Sequence, residues 1–282
     1  IEAHKKFGTL PMAVLAAPAV KLAADGFPLD ATLRIAIERG VNNLKRYADL
    51  GRIYMPNGEV PKEGDPIRQP QLAVTIKALA RQGGEVFYRG WVAEAIVDMV
   101  KKEGGVMTLD DLKNYKAVWR EPLVGSYRGR TVITMPPPSS GGVALLQMLT
   151  VVEGYKFDEY KHNSAPYLHL LAESMKHAFA DRAEHLGDPD FVHVPIRKLT
   201  DKSYATWVRG RFAPEKTFAP TYYGYYNYNG EKGSTTHFSV IDKDGNAVAC
   251  TQTVNTRFGS KLLVPKAGIV LNNEIDDFAI HG

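Results

Sequence analysis

Gly233-Ser234-Thr235-Thr236-His237-Phe238-Ser239-Val240-Ile241-Asp242 is followed by Lys243-Asp244-Gly245, and then by Asn246-Ala247-Val248-Ala249-Cys250-Thr251-Gln252-Thr253-Val254-Asn255. Asp-Gly between two alternating runs predicts a β-hairpin. A two-residue loop would place Lys243 opposite Asn246. A three-residue loop, with Gly245 left-handed as a bulge, would place Asp242 opposite Asn246. A one-residue slip swaps the faces, so the apolar pattern decides between them. In the three-residue register Phe238 meets Cys250 and Val240 meets Val248, while His237 meets Thr251 and Thr235 meets Thr253. The other register mixes polar with apolar partners. The preferred hairpin has one apolar face and, on the other, the hydroxyls of Thr235, Ser239, Thr251 and Thr253.

Outward from the hairpin the chain changes character. Thr221 to Lys232 reads Thr-Tyr-Tyr-Gly-Tyr-Tyr-Asn-Tyr-Asn-Gly-Glu-Lys and contains Gly and Asn but no aliphatic core residue. It reads as a flexible connector, with a sugar- or base-binding stretch as the less favoured alternative. Helical patterns dominate before it. Pro11 to Ala24 is expected to kink or split at Pro18. Asp30 caps a stretch running through Leu50, and Pro70 opens another through Ala80. Trp91 to Lys102 is amphipathic and stops at Gly104-Gly105. Thr108 with Asp111 resembles a capping box opening a helix from Leu109 to Tyr115. Tyr127, Val132 and Ile133, with turn residues Gly125 and Gly129, predict strands. Met135-Pro136-Pro137-Pro138-Ser139-Ser140-Gly141-Gly142 leads into a helix from Val143 to Val152, and a longer helix runs from Ser164 to about Glu184.

The 282 residues are 44% hydrophobic and 23% charged, ordinary values for a globular chain. Lys and Arg total 35 against 31 Asp and Glu, a formal charge of +4 without clustering, which gives no argument for nucleic acid. No run of about 18 apolar residues exists, so no membrane-spanning helix is expected. The single cysteine, Cys250, excludes an internal disulfide and a multi-cysteine metal site. His169, His177, His185 and His193 recur every eight residues. Eight residues turn a helix by about 800°, so successive rings lie about 80° apart and make a poor metal set. The chain starts at Ile1 without an apolar signal core and stops at Gly282 without a cap or polar tail, and it is read as a segment of something longer.

Thr235 opens a strand directly after the connector. A polar row on one strand face is ordinarily just the solvent side. Were the Ser234–Thr235 bond cut, however, Thr235 would gain an α-amine with a pKa near 8. One residue would then hold both a nucleophilic hydroxyl and its base.

At these residues the chain resembles the γ-glutamyltransferase family. Thr235-Thr236-His237-Phe238-Ser239-Val240 and Asp242-Lys243-Asp244-Gly245-Asn246-Ala247-Val248 resemble the start of its small subunit. Thr253-Val254-Asn255-Thr256 and Leu271-Asn272-Asn273-Glu274-Ile275-Asp276-Asp277-Phe278 are similar to its next two signatures. Upstream, Met135–Gly142 and Asp181-Arg182 with Leu186-Gly187-Asp188-Pro189-Asp190-Phe191 are also similar. The resemblance implies an α+β fold, the four-layer α-β-β-α sandwich of N-terminal nucleophile hydrolases, incomplete in this chain. It implies a mostly helical large-subunit-like portion (1–234, with a Tyr-rich tail at 221–234) and the start of a small-subunit-like β portion (235–282). Together these would form one structural domain.

The resemblance further implies autoproteolysis between Ser234 and Thr235, giving a heterodimer from one precursor. Thr235 would then attack a γ-glutamyl carbonyl, and Thr253 would orient it. Asn255, Glu274 and Asp277 would hold the donor's α-amino end; two carboxylates and an amide oxygen suit an ammonium group. The acyl group would pass to water or to an amine acceptor such as an amino acid or peptide. No cofactor and no metal are required. An exported location, periplasmic or extracellular, goes with the family. Related acylases and poly-γ-glutamate processing enzymes share the framework, and a non-catalytic binding or assembly fragment is the alternative of a different class. The family's substrate arginine would precede residue 1, and its Ser-Ser and Gly-Gly pairs would follow residue 282. Ser139-Ser140-Gly141-Gly142, lying before Thr235, does not stand in for them.

Overall fold

A computed structural model of the chain describes residues 1–224 and, with the side chain of Asp277 left aside, 235–277. The helices are α1 (Glu2–Phe7), α2 (Met12–Asp25), α3 (Ala31–Arg46), α4 (Ala48–Tyr54), α5 (Pro70–Gln82), α6 (Glu85–Tyr88), α7 (Trp91–Lys102), α8 (Leu109–Asn114), α9 (Gly141–Val152), α10 (Ala165–His185), α11 (Ile196–Leu199), α12 (Lys202–Arg209) and α13 (Pro220–Tyr223). The strands are β1 (Phe27–Pro28), β2 (Pro66–Ile67), β3 (Leu123–Tyr127), β4 (Arg130–Thr134), β5 (Thr235–Ile241), β6 (Ala247–Thr253), β7 (Leu263–Val264) and β8 (Ile269–Val270). They pair antiparallel as β1-β2, β3-β4, β5-β6 and β7-β8. The fold is thus α+β, and among the described residues the strands form pairs rather than complete stacked sheets, as an incomplete sandwich would.

Two compact units divide the chain: Ile1–Ala117 with Lys232–Gly282, and Val118–Glu231. This differs from the expected single domain with its boundary at 234/235. The cause lies in how the C-terminal part packs. Leu263 joins a core of Leu29, Ile37, Leu44, Leu50, Met55 and Ile67, whereas its neighbour Val264 joins Val86, Val92, Ala95, Ile96 and Ala267. Adjacent residues of a strand point to opposite faces, so two residues of β7 bind two helical cores. The buried Thr75 hydroxyl donates to the Ala267 carbonyl at 2.7 Å. Gly268, at φ +69°, lets the turn between β7 and β8 pass so close to the start of α5 that a Cβ would collide with the Leu72 amide nitrogen.

Several local expectations hold. Asp30 caps α3 through the Leu33 N–H, and Thr108 with Asp111 forms a full capping box. Others need correction. The stretch expected to run from Asp30 to Leu50 breaks at Tyr47 into α3 and α4. Helix α2 does not split at Pro18 but continues through it to Asp25, packed along α5. Helices α11 and α12 lie where no helix was expected.

In the second unit, β3 and β4 turn through Arg128 and Gly129, both left-handed, and α9 lies on β3 with Leu146 against Gly125. Helix α12 packs Ala205 and Val208 on Val151 of α9. Helix α10 carries three buried ionisable residues, Glu173, His177 and Asp181, four apart and so on one face. Tyr204 donates to both Asp181 oxygens at 2.8 and 2.9 Å, and the Gln147 amide also donates to Asp181. Burial raises the Asp181 carboxyl above its ordinary range, against the pull of those donors. Burial also pushes Glu173 up, but donors from Lys176, Tyr223 and Thr217 outweigh it and hold the carboxyl low.

The start of the expected connector is structured. Tyr222 and Tyr223 close α13, the Tyr222 hydroxyl donates to the Arg211 carbonyl at 2.9 Å, and the Tyr223 hydroxyl donates to Glu173 at 2.7 Å. Residues 225–232 of that connector lie outside the described residues.

Candidate active site

The β5-β6 hairpin has the register read from its faces. Thr235 pairs with Thr253, His237 with Thr251, Phe238 with Cys250 and Val240 with Val248. The loop is the three-residue one: Gly245 sits at φ +85°, and its N–H donates to the Asp242 carbonyl at 3.2 Å. The Asp242 carboxylate accepts from the Asn246 side-chain amide and from the Asn246 and Asp244 N–H groups, each at 2.9 Å. These bonds, the Asn246 side chain foremost, hold its carboxyl below the usual range. His237 joins the polar row, bonding Thr251 at 2.7 Å and Ser239 at 3.2 Å. Among the described residues nothing covers the apolar face, and Val240 and Val248 are 56% and 58% exposed.

At the open end of the hairpin the Thr235 hydroxyl donates to Thr253 Oγ1 at 3.3 Å. The same oxygen accepts the Asn255 N–H at 2.7 Å. This local turn, made by a threonine hydroxyl and an amide two residues on, ends the strand. Asn255 then takes φ +68°, a left-handed conformation that asparagine tolerates better than most residues. One side-chain oxygen therefore both stops β6 and faces the Thr235 hydroxyl across the sheet. Because Thr235 is the donor in that contact, its own oxygen lone pairs are not engaged by Thr253.

Asn255 is buried, and its side-chain amide donates to the Asn273 carbonyl at 3.0 Å. That bond carries the hairpin end to the turn Asn272–Asp277, where the Glu274 N–H donates to Asn272 Oδ1 at 3.0 Å. Thr256, Phe258 and Ser260 follow in the same loop. Ser260 binds the Leu271 carbonyl through its N–H and its hydroxyl, and the Phe258 ring meets Tyr54 edge-on at 4.9 Å.

Of the residues singled out from sequence, Thr235, Thr253, Asn255 and Glu274 thus lie on one bonded path through the hairpin end and the following turn. Ser234 and the side chain of Asp277 lie outside the described residues. Sequence reasoning missed Asn273 and Thr256, although both stand inside quoted motifs; loop residues carry no periodicity to mark them. The described residues contain no group of three or more His, Cys, Asp or Glu able to hold a metal ion. His169 is occupied with the Ala213 carbonyl at 2.7 Å and His177 is buried among aromatic rings. No helix among the described residues is long and apolar enough to cross a membrane.

Comparison with known proteins gives this geometry a setting. The family description Gamma-glutamyltranspeptidase matches residues 1–282. The glutathione hydrolase proenzyme of Escherichia coli (strain K12) is 41% identical over 280 residues, covering 97% of this chain and 48% of the relative. The chain spans about half the length of the curated relatives it matches. Among solved structures, a cephalosporin acylase from Bacillus halodurans aligns over 99% of this chain and 51% of its own, with TM-score 0.85 and 29% identity. The γ-glutamyltranspeptidase of Helicobacter pylori aligns over 78% of this chain and 63% of its own, with TM-score 0.75 and 35% identity. With a family match over its whole length, the chain belongs to the γ-glutamyltranspeptidase family.

Proposed function

We propose that the full-length protein cuts itself between Ser234 and Thr235, and then uses Thr235 to move γ-glutamyl groups from γ-glutamyl amides such as glutathione to water, amino acids or peptides. The observation that carries this reading is the 3.3 Å contact from the Thr235 hydroxyl to Thr253 Oγ1 at the end of a register-locked hairpin.

In maturation the Thr235 oxygen attacks the Ser234 carbonyl and the Ser234–Thr235 C–N bond breaks. The nitrogen takes up the proton released by the attacking hydroxyl and leaves as the free α-amine of Thr235, and water hydrolyses the resulting ester to a Ser234 carboxylate and a free Thr235 hydroxyl. In turnover that amine takes the hydroxyl proton while the oxygen attacks the γ-carbonyl. The proton passes to the departing amine, and the acyl-threonine is opened by water or an acceptor amine. Asn255, Glu274 and Asp277 are assigned to the donor's ammonium group. Apart from water and the acyl donor and acceptor, these steps use only groups of the protein. The mature product is a large/small subunit heterodimer, located outside the cytoplasm in the periplasm or beyond.

A second reading, an acylase on the same framework, draws support from the likeness to the cephalosporin acylase. Hydrolysis of a γ-glutamyl anilide against that of a bulky acyl amide separates the two. The test of the main reading is Thr235→Ala in the full-length protein. Mass spectrometry should find no fragment beginning at residue 235, and release of the anilide amine should cease. A Thr235→Ala protein that still cleaves or turns over refutes the assignment.

A further inference from the structure

Asn273 makes six hydrogen bonds at the hairpin end, and the mechanism above does not use it. Its N–H donates to the Val254 carbonyl at 3.3 Å. Its carbonyl accepts the Asn255 side-chain amide at 3.0 Å and the Asp276 N–H at 3.1 Å. Its Oδ1 accepts the Thr256 N–H at 3.1 Å and the Thr256 hydroxyl at 3.0 Å. Its Nδ2 donates to the Asp276 carboxylate at 2.7 Å. These bonds point in two directions, to residues 254–256 that leave the β6 strand and to Asp276 in the acidic turn.

We propose that Asn273 is a positioning residue that sets the distance between the Thr235–Thr253 pair and the acidic turn beginning at Glu274, and thereby selects acyl donors bearing an ammonium group at a fixed separation from the reacting carbonyl. This rests on the proposed function. The spacing matters because such a donor must meet two fixed points at once. The carbonyl meets the Thr235 oxygen, whose place is fixed by hairpin register. The ammonium meets groups whose place is fixed through residue 273. An amide suits position 273, since it needs a double acceptor on one atom and a donor on the other. Aspartate keeps the acceptor for Thr256 but turns the donor into a second carboxylate facing Asp276. Alanine removes both.

The test compares wild-type, Asn273→Ala and Asn273→Asp full-length proteins on a γ-glutamyl anilide, with maturation followed by mass. Removing the Asn273 side chain loosens a group that binds ground state and transition state alike, a uniform loss of binding. In Asn273→Ala that loss falls on KM, which rises about tenfold or more while kcat stays within about threefold. Asn273→Asp lies between wild type and alanine. The Thr235-initiated subunit still forms in both variants, because β5-β6 pairing and not Asn273 aligns Thr235 with Thr253. Should Asn273→Ala fail to fold, Thr256→Val removes one of the donors to Oδ1 and carries the test with a KM rise of about threefold. An unchanged KM in Asn273→Ala, or maturation, kcat and KM failing together with no recovery in Asn273→Asp, overturns the positioning role. An uncut wild-type protein instead overturns the proposed function, and this role with it.

Discussion

Replacing His177 by phenylalanine should remove a step in stability between pH 6.5 and 4. The His177 ring is 3% exposed, and its Nε2 finds no partner among the described residues. It stacks on Phe212 with centroids 5.7 Å apart and planes 18° off parallel, and meets Tyr223 edge-on at 5.0 Å and Trp207 at 6.5 Å. Burial first, and then the Arg211 charge, pull its pKa from the ordinary 6.5 to about 4, with Lys176 helping and Glu173 opposing. For a base with a depressed folded pKa, the unfolded chain takes up the proton from pH 6.5 downward while the folded chain does not until about 4. Stability is therefore unaffected above this window and declines across it as pH falls. At about 1.4 kcal/mol per tenfold difference in proton affinity, the full step is about 3 kcal/mol. At pH 7 the substitution should be close to neutral: losing an unpaired buried nitrogen gains about 1–3 kcal/mol, and a larger ring in a packed site costs a similar amount. The decisive quantity is thus the slope. Urea unfolding of wild type and His177→Phe at pH 7, 6 and 5, followed by tryptophan fluorescence, measures it, and the difference between the two proteins cancels the carboxylate titration they share. Parallel slopes in the two proteins, or a flat wild-type profile, would refute the argument.

The neighbouring carboxylates give two further expectations. Glu173→Ala strips the acceptor from Tyr223, Thr217 and Lys176, and the loss for Tyr223 alone is about 1–3 kcal/mol. The Lys176 pair adds little because that side chain is 37% exposed and screened. Amide exchange over residues 217–223 should speed up, and unchanged protection there would dismiss the anchoring role of Glu173. Because the folded Glu173 carboxyl is held low, its contribution is present above the ordinary carboxylate pKa and disappears only as pH falls through the lower folded value. Tyr204→Phe leaves Asp181 with Gln147 as its remaining side-chain donor and should destabilise by about 1–3 kcal/mol, read as a lower urea midpoint at pH 7; an unshifted midpoint would count against that bond.

What the sequence disclosed about this chain was local, and what it hid was distant. The hairpin register was legible because a period of two, an Asp-Gly turn and one apolar pair after another all constrain residues within about twenty positions of each other. The Thr108 capping box was legible for the same reason. The break at Tyr47 and the passage of α2 through Pro18 were not, since both depend on what each helix packs against. The Tyr-rich stretch shows the limit most clearly. From composition it read as a connector throughout, yet Tyr223 binds a carboxylate 50 residues upstream. Tyrosine carries a hydroxyl and an apolar ring and serves equally as a spectator in solvent or as a tether. The difference is made by whether a buried acceptor waits for it, and Glu173 betrays itself in sequence only as one more charge on a long helix. Asn273 follows the same logic at shorter range. Its neighbours Glu274 and Asp277 were singled out through the family resemblance, whereas an amide that bonds two loops looks like any turn residue until its partners are in place. The pairing of Thr235 with Thr253 was legible because strand register fixes it, whereas the roles given to these two and to Asn255 rest on the family resemblance. What stayed illegible were the hydrogen bonds of Asn273 to Asn255, Thr256 and Asp276, which no sequence period marks.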